Sequence, residues 1–272
     1  MTPWHLGRLC AFDLETTGTD VEADRVVTAA VIGLGGGAEA VSSSWLADPG
    51  VEIPEGAAAV HGITTEHARA NGRRAVEVVD EIAAALAGYL GTGVPIVAHN
   101  VAYDLTLLDR ECRRYGLPTL LDRFVDDVLW PVIDTRVLDT HALPYRKRPS
   151  KTQGARQLIT LAQVYGLPWV EDDAHGCEYD ALMSARIAYR IGWLAHTDRE
   201  QWPEHIRTAR RPRFHAFADL DVEALHHLQI RLAAEQAEGL EKHFRKSDPE
   251  ARVDRAWPLR PWAESATEGA PA

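Results

Sequence analysis

Leu9-Cys10-Ala11-Phe12-Asp13-Leu14-Glu15-Thr16-Thr17-Gly18 is an apolar run that passes directly into two acids spaced by one residue. The run and its polar, glycine-ended boundary read as a buried strand. In extended backbone, residues two apart project to the same side, so Asp13 and Glu15 converge on one point at the strand end. Two facing carboxylates repel, and one stays protonated unless a cation lies between them. Oxygen ligands on a rigid strand suit Mg²⁺ or Mn²⁺, hard ions that bind phosphate oxygens. Taken alone, the pair also fits an acidic turn capping the next segment. The rest of the chain decides between the two.

A second acid follows a second apolar run. Ile96-Val97-Ala98 passes through His99-Asn100 into Val101-Ala102-Tyr103-Asp104, and Leu105, Leu108 and Cys112 then recur at helical spacing. Asp104 therefore stands at a helix start, where the macrodipole favours any acid. The third segment is His175-Gly176-Cys177-Glu178-Tyr179-Asp180, running into an alanine-rich helix from Ala181. His175 sits just before that helix, after a stretch (171–174) expected to be a flexible loop. A histidine there can accept a proton from water near neutral pH.

In this order the segments resemble the DEDDh 3′–5′ exonucleases, a family that includes polymerase proofreading subunits and several RNA exonucleases. The resemblance rests on Phe12 to Gly18, on His99-Asn100 through Asp104, and on His175 with Asp180 five residues later. It extends to Val60-His61-Gly62-Ile63-Thr64, similar to the family's His-Gly-Ile loop beside the terminal nucleotide. The sister branch has a tyrosine four residues before the last acid; here Gly176 occupies that position, and Tyr179 is at the wrong spacing. Cys177 departs from the family's small alanine-like residue and reads as packing.

The resemblance implies an RNase H-like α/β fold and a two-cation mechanism. Asp13, Glu15, Asp104 and Asp180 would hold two divalent cations, Mg²⁺ or Mn²⁺, with His175 as general base. Hydrolysis at a 3′ end would release 5′-mononucleotides. Thr16, with the main-chain amides after Glu15, and His61 are candidate contacts to the terminal nucleotide; His61 fits equally a role closing its own loop. Asn100 joins them as a candidate contact, although with His99 it more simply pins the turn before Asp104. Single-stranded or frayed DNA is the leading substrate and RNA the alternative. A non-catalytic nucleic-acid-binding or polymerase-tethering protein is the reading from another class, disfavoured because binding alone needs neither four acids nor the histidine.

The chain has 272 residues, is 46% hydrophobic and carries a net charge of −11. That is enough for one α/β core and an appendage, and four acids neutralised by metal would soften the charge. Local charge matters more than the total. Arg146, Lys147, Arg148, Lys151 and Arg156 fall in an acid-free stretch, and Arg207, Arg210, Arg211 and Arg213 form a second cluster. Either follows phosphates or is a solvated loop. Cys10, Cys112 and Cys177 have neither metal-ligand spacing nor an even framework. With no signal peptide and no apolar run of membrane length, a cytoplasmic location is expected.

The expected core is a mixed five-stranded sheet flanked by helices. Leu9–Asp13, Arg25–Leu34, Ala40–Leu46, Ile96–His99 and a run at Val132-Ile133 read as its strands, with Gly33 to Gly37 as a hairpin turn. Val76–Leu90 reads as an amphipathic helix, and Asp134-Thr135 as a helix cap, not a fifth ligand. Gln157-Leu158-Ile159-Thr160-Leu161 looks like a sliding-clamp-binding peptide, but its helical period makes it a core helix. A DNA polymerase remains the candidate protein partner, without the peptide of a stable replicase subunit. We divide the chain into an exonuclease domain (1–196), a mainly helical C-terminal extension (197–262) and a disordered tail (263–272). Within the extension, Asp221 would cap a helix from about Val222 to Lys246, with Leu225, Leu228, Leu232 and Ala233 on one stripe. Oligomeric state is not legible.

Overall fold

The computed structural model describes residues 2–125, 128–170 and 175–262. Three strands form an antiparallel meander, β1 (Arg8–Thr16), β2 (Val26–Gly35) and β3 (Val41–Asp48). Two short helices, α1 (Glu55–His61) and α2 (Thr65–Asn71), lead to a two-residue strand β4 (Arg73–Arg74) and helix α3 (Ala75–Leu90). There follow β5 (Ile96–Ala98), α4 (Val101–Arg114), β6 (Val132–Asp134), α5 (Thr135–Ala142), α6 (Leu158–Val164) and α7 (Cys177–Ala195). The one-turn α8 (Glu204–Arg207) and the long α9 (Val222–Phe244) complete the order. The sheet runs β4-β3-β2-β1-β5-β6, with β5 parallel to β1 and β6 parallel to β5. All five expected strands form, and β4 adds a sixth at the edge.

The β2–β3 hairpin turns where the glycines are. Gly35, Gly36 and Gly37 all have positive φ, and a Cβ on Gly35 would meet the Gly7 carbonyl oxygen at 2.7 Å. Only glycine meets both demands.

Alternation along β1 sorts its side chains between two faces. Cys10, Phe12 and Leu14 join the large core with Ile82 and Leu86 of α3. Ala11 turns to the other face, where it packs with Cys177, Ala181 and Ala185 of α7. Asp13 and Glu15 share the side of Ala11 by the two-residue period, so the first turn of α7 covers them. Only Cys10 and Ala11 pair with β5, so β1 runs on past the end of its parallel neighbour. There α4 begins, which brings Asp104 to the same strand end. The expected disordered tail and the expected flexible stretch before His175 lie outside the described residues.

The C-terminal segment packs into the main core. Trp202, Ile206, Phe214, Phe217, Leu225 and Leu232 are buried in the cluster that holds the sheet, with Leu228 and Ala233 packed partly buried against it. Asp221 caps α9, its carboxylate accepting the Ala224 N–H at 2.8 Å. The helix also covers the open edge of β6 with polar side chains. His226 Nδ1 accepts the Val132 N–H at 3.2 Å. Gln229 Oε1 accepts the Asp134 N–H at 2.7 Å, while its Nε2 donates to the Val132 carbonyl at 3.0 Å. Unpaired edge groups are satisfied without another strand.

Candidate active site

Asp13, Glu15 and Asp180 each offer a carboxylate oxygen within 4.8 Å of the others. Asp104 is not part of that tight set, but its charge acts on Asp13. The four acids come from three elements: the end of β1, the first turn of α4 and the first turn of α7. Asn100 makes the tight entry to α4 possible. It sits in the left-handed region at φ 70°, which asparagine tolerates, and its N–H donates to Asp134 Oδ1 at 3.0 Å.

The acids cannot all be charged together without help. Burial, then the charges of Asp104, Glu15 and Asp180, hold the Asp13 carboxyl well above the usual carboxylate range. Burial first, then Asp180 and Asp104, push Glu15 up to about 8. Burial raises Asp104 to about 8 against hydrogen bonds from its own main chain and that of Leu14. Asp180 rises to about 6 by burial, opposed by the charge of His175. Asp180 Oδ1 is buried and makes no hydrogen bond among the described residues. Hard carboxylate donors, mutual repulsion and an unsatisfied buried oxygen fit divalent cations.

This has a consequence for stability. Between pH 4.5, where free Glu15 ionises, and about 8, where the folded residue does, the folded protein binds more protons than the unfolded chain. Stability of the metal-free protein should therefore fall as pH rises across that window. Mg²⁺ should restore it, most strongly at the alkaline end. Thermal melts in chelator and in Mg²⁺ from pH 5 to 8 check this; metal-free melts that rise across the window would contradict the cluster.

His175 is exposed, also with a positive φ of 62°, and borders two clefts. The larger, about 720 Å³, is lined by Asn100, Arg136, Gln157, Trp169, His175 and Asp180 among others. The smaller, about 350 Å³, contains Thr28, His61, Ile63 and Tyr179 beside His175. His61 accepts the Ile63 N–H at Nδ1 (3.2 Å), and burial lowers its pKa. Its neutral ring thus carries the proton on Nε2, a buried donor turned toward the Thr16 main chain without a well-formed hydrogen bond.

The remaining expected contacts are partly spent within the fold. The Thr16 hydroxyl donates to the Gly18 carbonyl at 2.7 Å and lies 2.7 Å from the Tyr103 hydroxyl. Asn100 Oδ1 accepts from Arg136 at 2.7 Å, and both residues line the larger cleft. His99 pins its turn as expected, with Nδ1 2.9 Å from Thr135 Oγ1 and Nε2 2.8 Å from the Arg156 carbonyl. Asp134 caps α5, accepting the Arg136 and Val137 N–H groups. Cys177 is buried, its thiol pushed up to about 12 by burial, which leaves it as packing.

Two members of the first basic stretch are spent within the fold. Arg146 and Arg156 both pair with the fully buried Asp139, which also accepts the Tyr165 hydroxyl at 2.8 Å. They neutralise a buried charge and are not free for phosphates. In the second cluster Arg210 stacks over Tyr145 at 4.4 Å. Arg156 and Arg136 both line the larger cleft; with Arg156 paired to Asp139, the arginine left to a ligand there is Arg136. It carries no sequence signal beyond following a helix cap, and Tyr103 and Trp169 are equally silent.

Residues 10–188 match the RNase_T family model, described as an exonuclease. Over 180 residues the chain is 29% identical to DNA polymerase III PolC-type of Lacticaseibacillus paracasei, a span of 66% of this chain and 11% of the polymerase. E. coli exonuclease I in complex with a dT13 oligonucleotide superposes with a TM-score of 0.55 at 20% identity, over 71% of this chain and 45% of that one. An exonuclease I from Methylocaldum szegediense gives a TM-score of 0.51 at 20% identity, over 74% and 42%. The chain spans under half the length of each of these relatives. At such identities the structural matches speak for the fold, which is the RNase H-like one. Among the described residues no helix is long and apolar enough to cross a membrane.

Proposed function

Because the chain belongs to the DEDDh exonuclease family, we propose that it trims single-stranded or frayed DNA from the 3′ end and releases 5′-mononucleotides. The observation that carries this reading is the meeting of Asp13, Glu15 and Asp180, with Asp180 and His175 lining the same cleft. In the proposal Asp13, Glu15, Asp104 and Asp180 hold two divalent cations, Mg²⁺ or Mn²⁺. Bound there, such ions polarise the scissile phosphate and make water a stronger acid.

The chain's own groups do the rest. His175 takes the proton of the attacking water at an imidazole nitrogen, and its exposure lets bulk solvent carry that proton away. His61 offers its Nε2–H, which has no well-formed hydrogen bond within the fold, to the terminal nucleotide beside the Thr16 main chain. Arg136, aimed by Asn100 into the larger cleft, pairs with a phosphate upstream of the scissile one. Residues 1–196 carry the chemistry, with 197–262 bracing them. The likeness to part of DNA polymerase III PolC-type supports a polymerase as the proposed partner.

The test is a degradation assay with 5′-labelled DNA and RNA oligonucleotides in Mg²⁺ or Mn²⁺. A ladder shortening from the 3′ end of DNA supports the reading, and a ladder with RNA alone moves the substrate to RNA. No turnover with either would leave a binding protein. His175→Ala should slow the productive reaction by about 10²–10⁴-fold, the contribution of a positioned base. Cation affinity by calorimetry should hardly change; a marked loss would make His175 a ligand instead.

A further inference from the structure

We infer that Trp257 is a positioning residue for Asp104, acting through the buried carboxylate of Asp134; this rests on the exonuclease reading above. Asp134 is 2% exposed, and its hydrogen-bond partners among the described residues are all N–H donors. A buried carboxylate without a cation must be held by N–H donors. Its Oδ1 accepts from the main chain of Asn100 (3.0 Å), Arg136 (2.9 Å) and Val137 (3.3 Å). Its Oδ2 accepts the Val101 N–H (3.1 Å) and the indole Nε1–H of Trp257 (3.3 Å). One side chain thus ties together the starts of α4 and α5, and Trp257 supplies one of the two donors on Oδ2.

Val101 opens α4, and Asp104 lies three residues on. The orientation of the Asp134 carboxylate therefore sets where the first turn of α4, and with it Asp104, sits against β1. Trp257 is held by its ring, which lies against His226 of α9 with centroids 5.1 Å apart. The residues after it run along α4. The Arg260 N–H donates to Thr106 Oγ1 at 3.1 Å, Arg110 donates to the carbonyls of Arg260 (3.3 Å) and Pro261 (2.9 Å), and Arg110 and Arg113 stack over Trp262. The segment grips α4 at its entry, through Asp134, and again along its length. Among the described residues no hydrogen bond or ion pair joins this segment to the four acids; it reaches Asp104 through Asp134, which holds the start of α4 and whose charge also acts on Asp104.

Losing the indole donor leaves Oδ2 short of one partner and free to rotate or recruit water, loosening the Val101 hydrogen bond. Small misplacements at a reacting centre cost rate far more than they cost binding. In the full-length protein, Trp257→Phe keeps an aromatic ring and removes the donor. We expect kcat on a DNA oligonucleotide to fall about tenfold with KM little changed, a loss confined to the transition state. Amide hydrogen exchange at Asn100 and Val101 should quicken about tenfold while the β1 amides keep their protection. Exchange unchanged at those two amides, or quickened equally across β1, would overturn the proposal.

Two further measurements keep it open to refutation. If wild-type protein degrades neither DNA nor RNA, the exonuclease reading fails, but exchange and Mn²⁺ titration of the variant still judge the positioning. Weaker Mn²⁺ binding with local exchange supports it, and an unchanged pair of values sinks it. Should Trp257→Phe not fold, the wild-type protein answers by reciprocity: Mg²⁺ at the acids must slow exchange of the Trp257 indole N–H. An indole signal indifferent to Mg²⁺ would refute the coupling.

Discussion

Asp13→Asn is expected to cut turnover on the order of 10⁴-fold or more, since groups acting as one unit fail together. In the absence of metal the same variant should melt higher than wild type. Asp13 is the acid whose ionisation is opposed by all three of its fellows as well as by burial. Replacing it with a neutral isostere removes that repulsion while hardly changing volume. Divalent cations should then stabilise the variant less than they stabilise wild type, because a ligand is gone. Opposite movements of activity and metal-free melting temperature mark a site built around a charge, and a general folding defect would move both down. Near-normal turnover in Asp13→Asn would mean that the reacting centre lies elsewhere.

Ending the chain at His196 should cost it the cooperative fold, although all four acids and His175 would remain. Phe214, Phe217 and Leu225 are fully buried, and Trp202, Ile206 and Leu232 nearly so. Fully burying one such side chain contributes roughly 1.5–3 kcal/mol, so the set amounts to on the order of 10 kcal/mol. A whole domain is stable by only about 5–15 kcal/mol. The hydrogen bonds of His226 and Gln229 to β6 would go too, as would the bond from the Trp4 indole to the Phe217 carbonyl at 3.1 Å. Circular dichroism melts and solubility of the shortened protein check this. A sharp transition within a few degrees of the full chain would show that the extension contributes little to the core.

The acid-bearing segments were legible because each rests on a local rule. A period of two puts Asp13 and Glu15 on one side of a strand, and helix starts explain where Asp104, Asp180 and the capping Asp134 stand. The hairpin at Gly35 to Gly37 follows from the conformations only glycine adopts freely. The basic residues show the limit of such reading. Arg146 and Arg156 looked like a solvent-facing stretch, and only the fold reveals Asp139 buried between them. The apolar stripe of α9 was visible, yet its His226 and Gln229, which seal the edge of β6, were not.

The sequence by itself determined the elements and the residue types at their ends, because backbone periodicity, caps and glycine turns act over a few residues. Only the tertiary structure decided which of the charged groups meet. Asp13 and Asp180 are far apart in the chain, and what unites them is the close approach of α7 to β1 over Ala11, Ala181 and Ala185. The same holds for Trp257 and Asp134, joined across 123 residues by one hydrogen bond. Such pairings depend on how layers pack, and a buried charge draws its partners from whatever the packed layers bring beside it.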